Sequence, residues 1–402
     1  MKKNKKCAVC DKKLKYVLNL GNHPCADTFL KNKKASISLR KYPLSVGFCG
    51  CNHLTAINHV SPFERYEKND YSYTSNNSPV SRNHFYKIAK KIIKNVKLKE
   101  KNSVIEIGSN DGTFLKNIKK FSNANVLGID PSTYMCNLAK KKGVRTETDF
   151  FNYELSKKLK KKYKSFDVLY GANVFNHVEN PKDFLRGCKE IVKKNGLIIL
   201  EVPDLNSLFD RIGFDTIYHE HRQYFSKDSV IQILHKTNLK LKKIEKIDYM
   251  SGSLRLFIQN SKANKISIKT NEKKHLRKFM KFRKNILLVK LEIMKFIQKC
   301  KKNNLTLVGL GAATKGNTLL NYCSLKDTDI RYILEVSKFK IGKYTPGSGI
   351  PIVNEKKFKR FDAILILPWN ITSFLYKKFL QNKKILYTSI SKISSRITNL
   401  KL

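Results

Sequence analysis

Nowhere in this 402-residue chain do about 18 consecutive apolar residues occur, which excludes a bilayer-spanning helix. The opening MKKNKKCAVC is lysine-rich and lacks the apolar core of a secretory signal. A soluble, cytoplasmic monomer is expected. Acidic residues are few, 31 against 81 basic ones, for a formal charge of +50. Such a field draws in anionic ligands. Arginine is scarce beside lysine, however, and base-edge readout depends on the arginine fork. The lysines are also spread along every segment instead of forming a stripe. A specific nucleic acid partner is therefore not expected. Short repeats and low-complexity segments are absent. Nine cysteines, an odd number without an export signal, exclude a disulfide framework.

What is present begins with those cysteines. Cys7 and Cys10 form a Cys-x-x-Cys pair, and Cys49 and Cys51 a tighter one, with strand-like YVLNL between them. Four thiolates in two pairs predict a closed, structural zinc site. The second pair is compressed around Gly50, so His53 or Cys25 could replace one ligand. Residues 1–72 are assigned to this zinc-binding module, which has few apolar residues and needs such a staple.

From about residue 80 the pattern alternates strand and helix. HFYKIAKKIIKNV predicts a helix, and strands are expected at 104–107, NVLGID, FDVLYGANV and GLIILEVP. The alternation implies an α/β fold with a doubly wound parallel sheet, whose ligands sit at the carboxyl ends of the strands. This unit is assigned to residues 73–265. Residues 266–402 hold a long connecting helix over about 271–302 and a second, Rossmann-like unit, NNLTLVGLGAATKGNTLLNY with strands RYILEV and DAILIL.

In GSNDG, Gly108 to Gly112, the glycines let a ligand approach the backbone, and the following helix offers unpaired N–H groups. Asp130 ends the next strand, where a carboxylate can accept from both ribose hydroxyls. This E-x-G-x-x-x-G turn with its strand-end Asp resembles class I S-adenosylmethionine (SAM)-dependent methyltransferases. The resemblance places Gly108, Asn110, Asp111 and Gly112 around SAM, with Asp111 near its amino-acid part and Asn173 near its sulfonium.

The stretch FDTIYHEHRQYF, 214–225, gathers Tyr218, His219, Glu220, His221 and Tyr224 without helical or strand periodicity. Most methyl transfers to oxygen or nitrogen need little more than positioning, because the acceptor already carries a lone pair, whereas a carbon acceptor needs a general base to make an enolate and a donor to stabilise it. Imidazole, carboxylate and phenol supply these parts. The spacing is not the zincin motif, so a catalytic metal is not expected here.

The chain as a whole resembles the sugar-nucleotide C-methyltransferases of branched deoxysugar biosynthesis, of the tetronitrose and mycarose type. The motifs are the cysteine pairs, NDYSYTSNNS, EIGSNDG, GIDP, GANVFNHV, EVPDL, FDTIYHEHRQYF, SGSLR, GLGAATKGNTLLNY and LPWN, in that order over nearly the whole chain. The resemblance implies a class I methyltransferase domain between the zinc-binding module and the Rossmann-like domain. It implies C-3 methylation of a nucleotide-linked 4-keto-deoxysugar, with His221 as base, Glu220 and Tyr218 beside it, and His177 and Tyr73 facing the sugar. Arg255 is expected to be available to the phosphates, and Lys315 and Asn317 to the sugar nucleotide.

Two other readings compete. Gly309, Gly311 and Gly316, with Glu335 ending the next strand, loosely match a dinucleotide fingerprint and suggest an NAD-dependent oxidoreductase. The charge and cysteines suggest a zinc-ribbon nucleic-acid-binding protein.

Overall fold

The computed structural model describes residues 4–67, 74–76, 78–263, 271–356, 360–369 and 385–387. Within them, three sheets follow one another. The first is antiparallel: β1 (Tyr16–His23), β2 (Tyr42–Cys49) and β3 (His53–Ala56) pair in sequence, and β9 (Gln223–Tyr224) closes the far edge by pairing with β3.

The central sheet has seven strands. Its parallel part runs β6 (Thr146–Thr148), β5 (Asn125–Asp130), β4 (Ser103–Ile107), β7 (Phe166–Ala172) and β8 (Val192–Pro203). Beyond β8 lie β11 (Ser253–Gln259) and β10 (Lys240–Ile247), each antiparallel to its neighbour. The sheet is thus mixed and not purely parallel as predicted. The short connection 248–252 makes β10 and β11 a hairpin, which forces the reversal. The chain order reverses between β4 and β7, opening a crevice at the carboxyl ends of these strands.

The helix Pro79–Val96 packs beside the helix Thr113–Ser122 and reaches β8 through His84–Glu201 and β10 through Lys91–Glu245. Ser78 caps it by accepting from the Ser81 N–H, and Pro79 occupies the first turn, where no donor is lost. The long helix Glu272–Lys302 matches the expected span. Its buried residues, Phe279, Phe282, Ile286, Val289, Ile293, Phe296, Ile297 and Cys300, recur at three and four. That face joins the N-terminal and C-terminal sheets into one core.

The third sheet is wholly parallel, in the order β14 (Ile352–Asn354), β13 (Ile333–Glu335), β12 (Leu307–Leu310), β15 (Ala363–Ile366) and β16 (Ile385–Tyr387). No described helix is long and apolar enough to cross a membrane.

Candidate active site

The β4 strand runs directly into the glycine turn. Gly108 and Gly112 take φ of +70° and +72°, and a Cβ on Gly112 would stand 3.0 Å from that of Ala139, so both conformation and space select glycine. Asp130 ends β5 and ties the turn down: its carboxylate accepts from the N–H of Asn110 at 2.8 Å and of Ser132 at 2.9 Å. Burial, with a smaller push from Asp111, raises the Asp130 carboxyl to about 6 against these two N–H groups. Asn110 in turn accepts from the Ser75 N–H at 2.8 Å.

Glu106, at the end of β4, is buried, and its Oε2 has no partner among the described residues. Burial, with Asp111 and Asp130 nearby, holds its carboxyl well above the usual range. Asn173, which follows β7 with φ of +53°, has a buried Oδ1 equally without a partner.

Asp111 is turned elsewhere than expected. It accepts from the Thr113 hydroxyl at 2.7 Å and from Lys142 Nζ at 2.7 Å, anchoring the start of the helix Thr113–Ser122. Buried carboxylates beside a glycine cradle and two unmatched oxygens suit a ligand that is cationic at one end and carries hydroxyls at the other. SAM is such a ligand, and Gly108, Asn110, Gly112, Asp130, Glu106 and Asn173 would hold it.

The 214–225 stretch folds as a 3-10 turn, Phe214–Thr216, followed by a loop that ends in β9. The Thr216 carbonyl accepts from His221 at 2.8 Å. A carbonyl can only accept, so Nδ1 carries the proton and Nε2 keeps its lone pair. Burial lowers the His221 pKa to about 4, leaving the ring neutral at neutral pH. Its orienter is thus a backbone carbonyl and not the neighbouring carboxylate.

The Tyr218 ring centroid lies 4.0 Å from that of His221, and the His177 ring centroid lies 4.9 Å from it. His177 arrives because the backbone carbonyl of Asn176 accepts from the N–H groups of Arg222 and Gln223, fastening the turn after β7 to this loop. Tyr66 is hydrogen-bonded to His177 Nδ1 at 2.9 Å and was not singled out in the sequence. Burial, His221 and Arg65 hold the His177 pKa well below its ordinary value. Tyr73 lies outside the described residues.

Glu220 is buried, with no hydrogen-bond partner on either oxygen among the described residues. Burial first, then Asp27, raises it to about 7. His219 points away, edge-on to Tyr42 with ring centroids 5.9 Å apart. The Tyr224 hydroxyl donates to the His221 carbonyl at 3.2 Å, bracing the loop.

The expected substrate contacts fare differently. Arg255 is not available to phosphates: its Nε donates to Glu201 at 2.7 Å, its Nη1 lies 3.5 Å from Glu245, and Glu201 also meets His84 at 2.7 Å. The register that pairs β11 with β8 and β10 puts Arg255 between these two carboxylates. Asn317 donates to the Ala26 carbonyl at 2.7 Å, joining the N-terminal sheet to the C-terminal domain. Lys315 Nζ lies over the Trp369 ring, 4.1 Å from its centroid. Burial lowers its pKa to about 8, with Asp215 opposing. In the dinucleotide-like turn, Glu335 accepts from the Ala312 N–H at 2.7 Å, as Asp130 does from Asn110, and Lys340 donates to the Ala312 carbonyl at 2.8 Å.

Away from this cleft, the Sγ atoms of Cys7, Cys10, Cys49 and Cys51 lie within 4.8 Å of one another, all buried. Four tetrahedral ligands at about 2.3 Å from zinc stand roughly 3.8 Å apart, so the set fits that ion. The compressed spacing works because Cys49 ends β2 and the turn through Asn52, φ +59°, carries Cys51 back toward it. His53 Nδ1 is 3.6 Å from Cys7 Sγ but outside the four-sulfur set, and Cys25 packs apart with Tyr42 and Val60.

Residues 80–244 match the methyltransferase domain family, and residues 249–385 the C-methyltransferase C-terminal domain family. The C-methyltransferase NovU of Streptomyces niveus is 27% identical over 382 residues, covering 91% of this chain and 90% of that protein. The ubiquinone biosynthesis O-methyltransferase of Pelagibacter ubique is 25% identical over 169 residues, 40% of this chain and 68% of its own. Among solved structures, the PH0226 protein of Pyrococcus horikoshii aligns with a TM-score of 0.39 at 18% identity, over 49% of this chain and 98% of its own. The chain is an enzyme of the SAM-dependent methyltransferase class, with the class I α/β fold and a C-methyltransferase relative matching 91% of its length.

Proposed function

We propose that the enzyme removes the proton beside the ketone of a nucleotide-linked 4-keto-deoxysugar and methylates the enolate carbon, C-3. The observation that carries this reading is the buried, neutral His221, its Nδ1–H fixed on the Thr216 carbonyl and its ring beside Tyr218 and His177. Methyl transfer to oxygen or nitrogen depends less on such a base, because the acceptor already carries a lone pair.

SAM supplies an electrophilic methyl group when bound. The chain's own residues do the rest. His221 Nε2 takes the proton from the carbon, and the new N–H cation keeps its Nδ1–H bond to Thr216. A pKa near 4 makes the resting ring a weak base. The enolate forming beside it is an opposite charge in a dry site, which favours the protonated ring as the reaction proceeds. On this reading Tyr218 and the Tyr66–His177 pair donate toward the oxyanion. Glu220, titrating near neutrality, carries less negative charge to oppose it than an ordinary carboxylate would. Tyr73 is assigned to the substrate on the resemblance alone, and Cys7, Cys10, Cys49 and Cys51 to one structural zinc.

The test is mass spectrometry with methyl-deuterated SAM and a panel of nucleotide 4-ketosugars in heavy water. A labelled methyl on C-3, with solvent deuterium entering that position when SAM is omitted, is expected. Transfer to a hydroxyl, or no transfer by protein that binds SAM, would overturn the substrate reading.

A further inference from the structure

Three groups of the C-terminal domain converge on the turn beneath His221. Trp369 Nε1 donates to the buried Asp215 carboxylate at 2.8 Å. Lys315 lies over the same indole ring and within electrostatic reach of Asp215. The Thr318 hydroxyl donates to the Ile217 carbonyl at 3.3 Å. Asp215 and Ile217 flank Thr216, whose own side chain bonds back to the Gly213 carbonyl at 2.7 Å. Gly213 leaves room for the indole, since a Cβ there would stand 3.2 Å from Trp369 Cζ2.

We infer that the C-terminal domain positions the base: Trp369, Lys315 and Thr318 clamp residues 215–217 so that the Thr216 carbonyl meets His221 Nδ1. The inference rests on the reading of His221 as base. Backbone carbonyls have no rotamers, so the direction of this one depends on what holds the peptides on either side. Asp215 and Ile217 are those holds, and their three partners come from the helix Thr314–Tyr322, which carries Lys315 and Thr318, and from Trp369 just after β15. These are positioning residues, and they act on the substrate only through His221. On this account Lys315 serves the clamp and not the sugar nucleotide. The second α/β unit then contributes to catalysis through His221.

The experiment uses the full chain labelled with 15N-histidine, with the His221 resonances assigned by their loss in His221→Gln. Wild type is expected to show one tautomer, protonated at Nδ1. Thr318→Val exchanges the hydroxyl for a methyl, and Trp369→Phe removes the donor to Asp215. Each, read separately in protein with an unchanged melting temperature, is expected to populate the Nε2-protonated form. Each should also lower heavy-water exchange into a 4-ketosugar on the order of tenfold, in kcat and not in KM. Thr318→Ser should restore the wild-type spectrum and rate. An unchanged tautomer in both folded variants would overturn the clamp, and so would unfolding of both, which would make these contacts structural only. A shifted tautomer together with no sugar exchange even in wild type would leave the clamp standing and remove the proposed substrate.

Discussion

The Thr216 carbonyl oxygen and His221 Nδ1 stand 2.8 Å apart, and this single bond determines which nitrogen of the ring is free to act. With Nδ1 committed as donor, only Nε2 can receive a proton.

His221→Gln keeps a polar side chain of similar reach but has no basic nitrogen. Deuterium exchange beside the ketone should fall by about 10²–10⁴-fold, the usual contribution of a positioned general base. SAM affinity, measured by calorimetry, should be unchanged, because the glycine turn and Asp130 are untouched.

The acid limb of that exchange reaction should lie low. An ordinary imidazole would lose base character below about 6.5, but burial keeps His221 unprotonated down to about 4. Exchange without SAM should therefore persist as pH falls from 6.5 to 5 and collapse nearer 4. A midpoint close to 6.5 would place the base elsewhere or show the site to be wet.

SAM binding should carry a different pH signature. Protonation of Asp130 removes an acceptor for the ribose, so affinity should rise with pH through about 6. Asp130→Ala should weaken binding by about 1–3 kcal/mol and flatten that dependence. Equal affinities for the two proteins, by equilibrium dialysis, would take the ribose away from Asp130.

Arg255→Met separates structure from recognition. Removing the guanidinium leaves buried Glu201 with His84 but without its Arg255 partner, and the cost should approach but not exceed the about 3–5 kcal/mol of a fully broken buried pair. Urea unfolding should register that loss, while KM for the sugar nucleotide in whatever folded protein remains should be preserved. A stable variant with a raised KM would return Arg255 to the substrate.

Metal analysis of the purified protein should find about one zinc per chain. Cys51→Ser should lower that content and destabilise the fold, and a strong chelator should do the same to the native protein, since structural zinc and folding are linked. Full stability in metal-free protein would show the sulfurs to be a packed core.

The long helix, the glycine turns and the strand-end acids were legible because each is written in local chemistry: apolar period, positive φ and residue type. The antiparallel β10–β11 hairpin was less so. LRLFIQ is apolar enough to pass for another parallel strand, and only the short connection before it gives the direction. Side-chain types pointed to the His221 loop, but its orienter is a peptide oxygen, which every residue possesses and no residue letter marks. Tyr66 escaped for a related reason: it stands far from His177 in sequence, and nothing local brings them together. Arg255 shows the opposite failure, where a motif residue resembles a ligand and the sheet register spends its charge on Glu201.

The pairing of β3 with β9 has a consequence for how the chain is made. Leu54 and Thr55 are translated early, but the strand that satisfies their outer edge, Gln223 and Tyr224, emerges only after most of the central sheet has been synthesised. The first module leaves the ribosome with an open edge and keeps it through that interval, exposed to unwanted strand addition. Its closure brings Tyr224, and with it the loop carrying His221, into place, so the last step in sealing the amino-terminal sheet is also the one that delivers the proposed base.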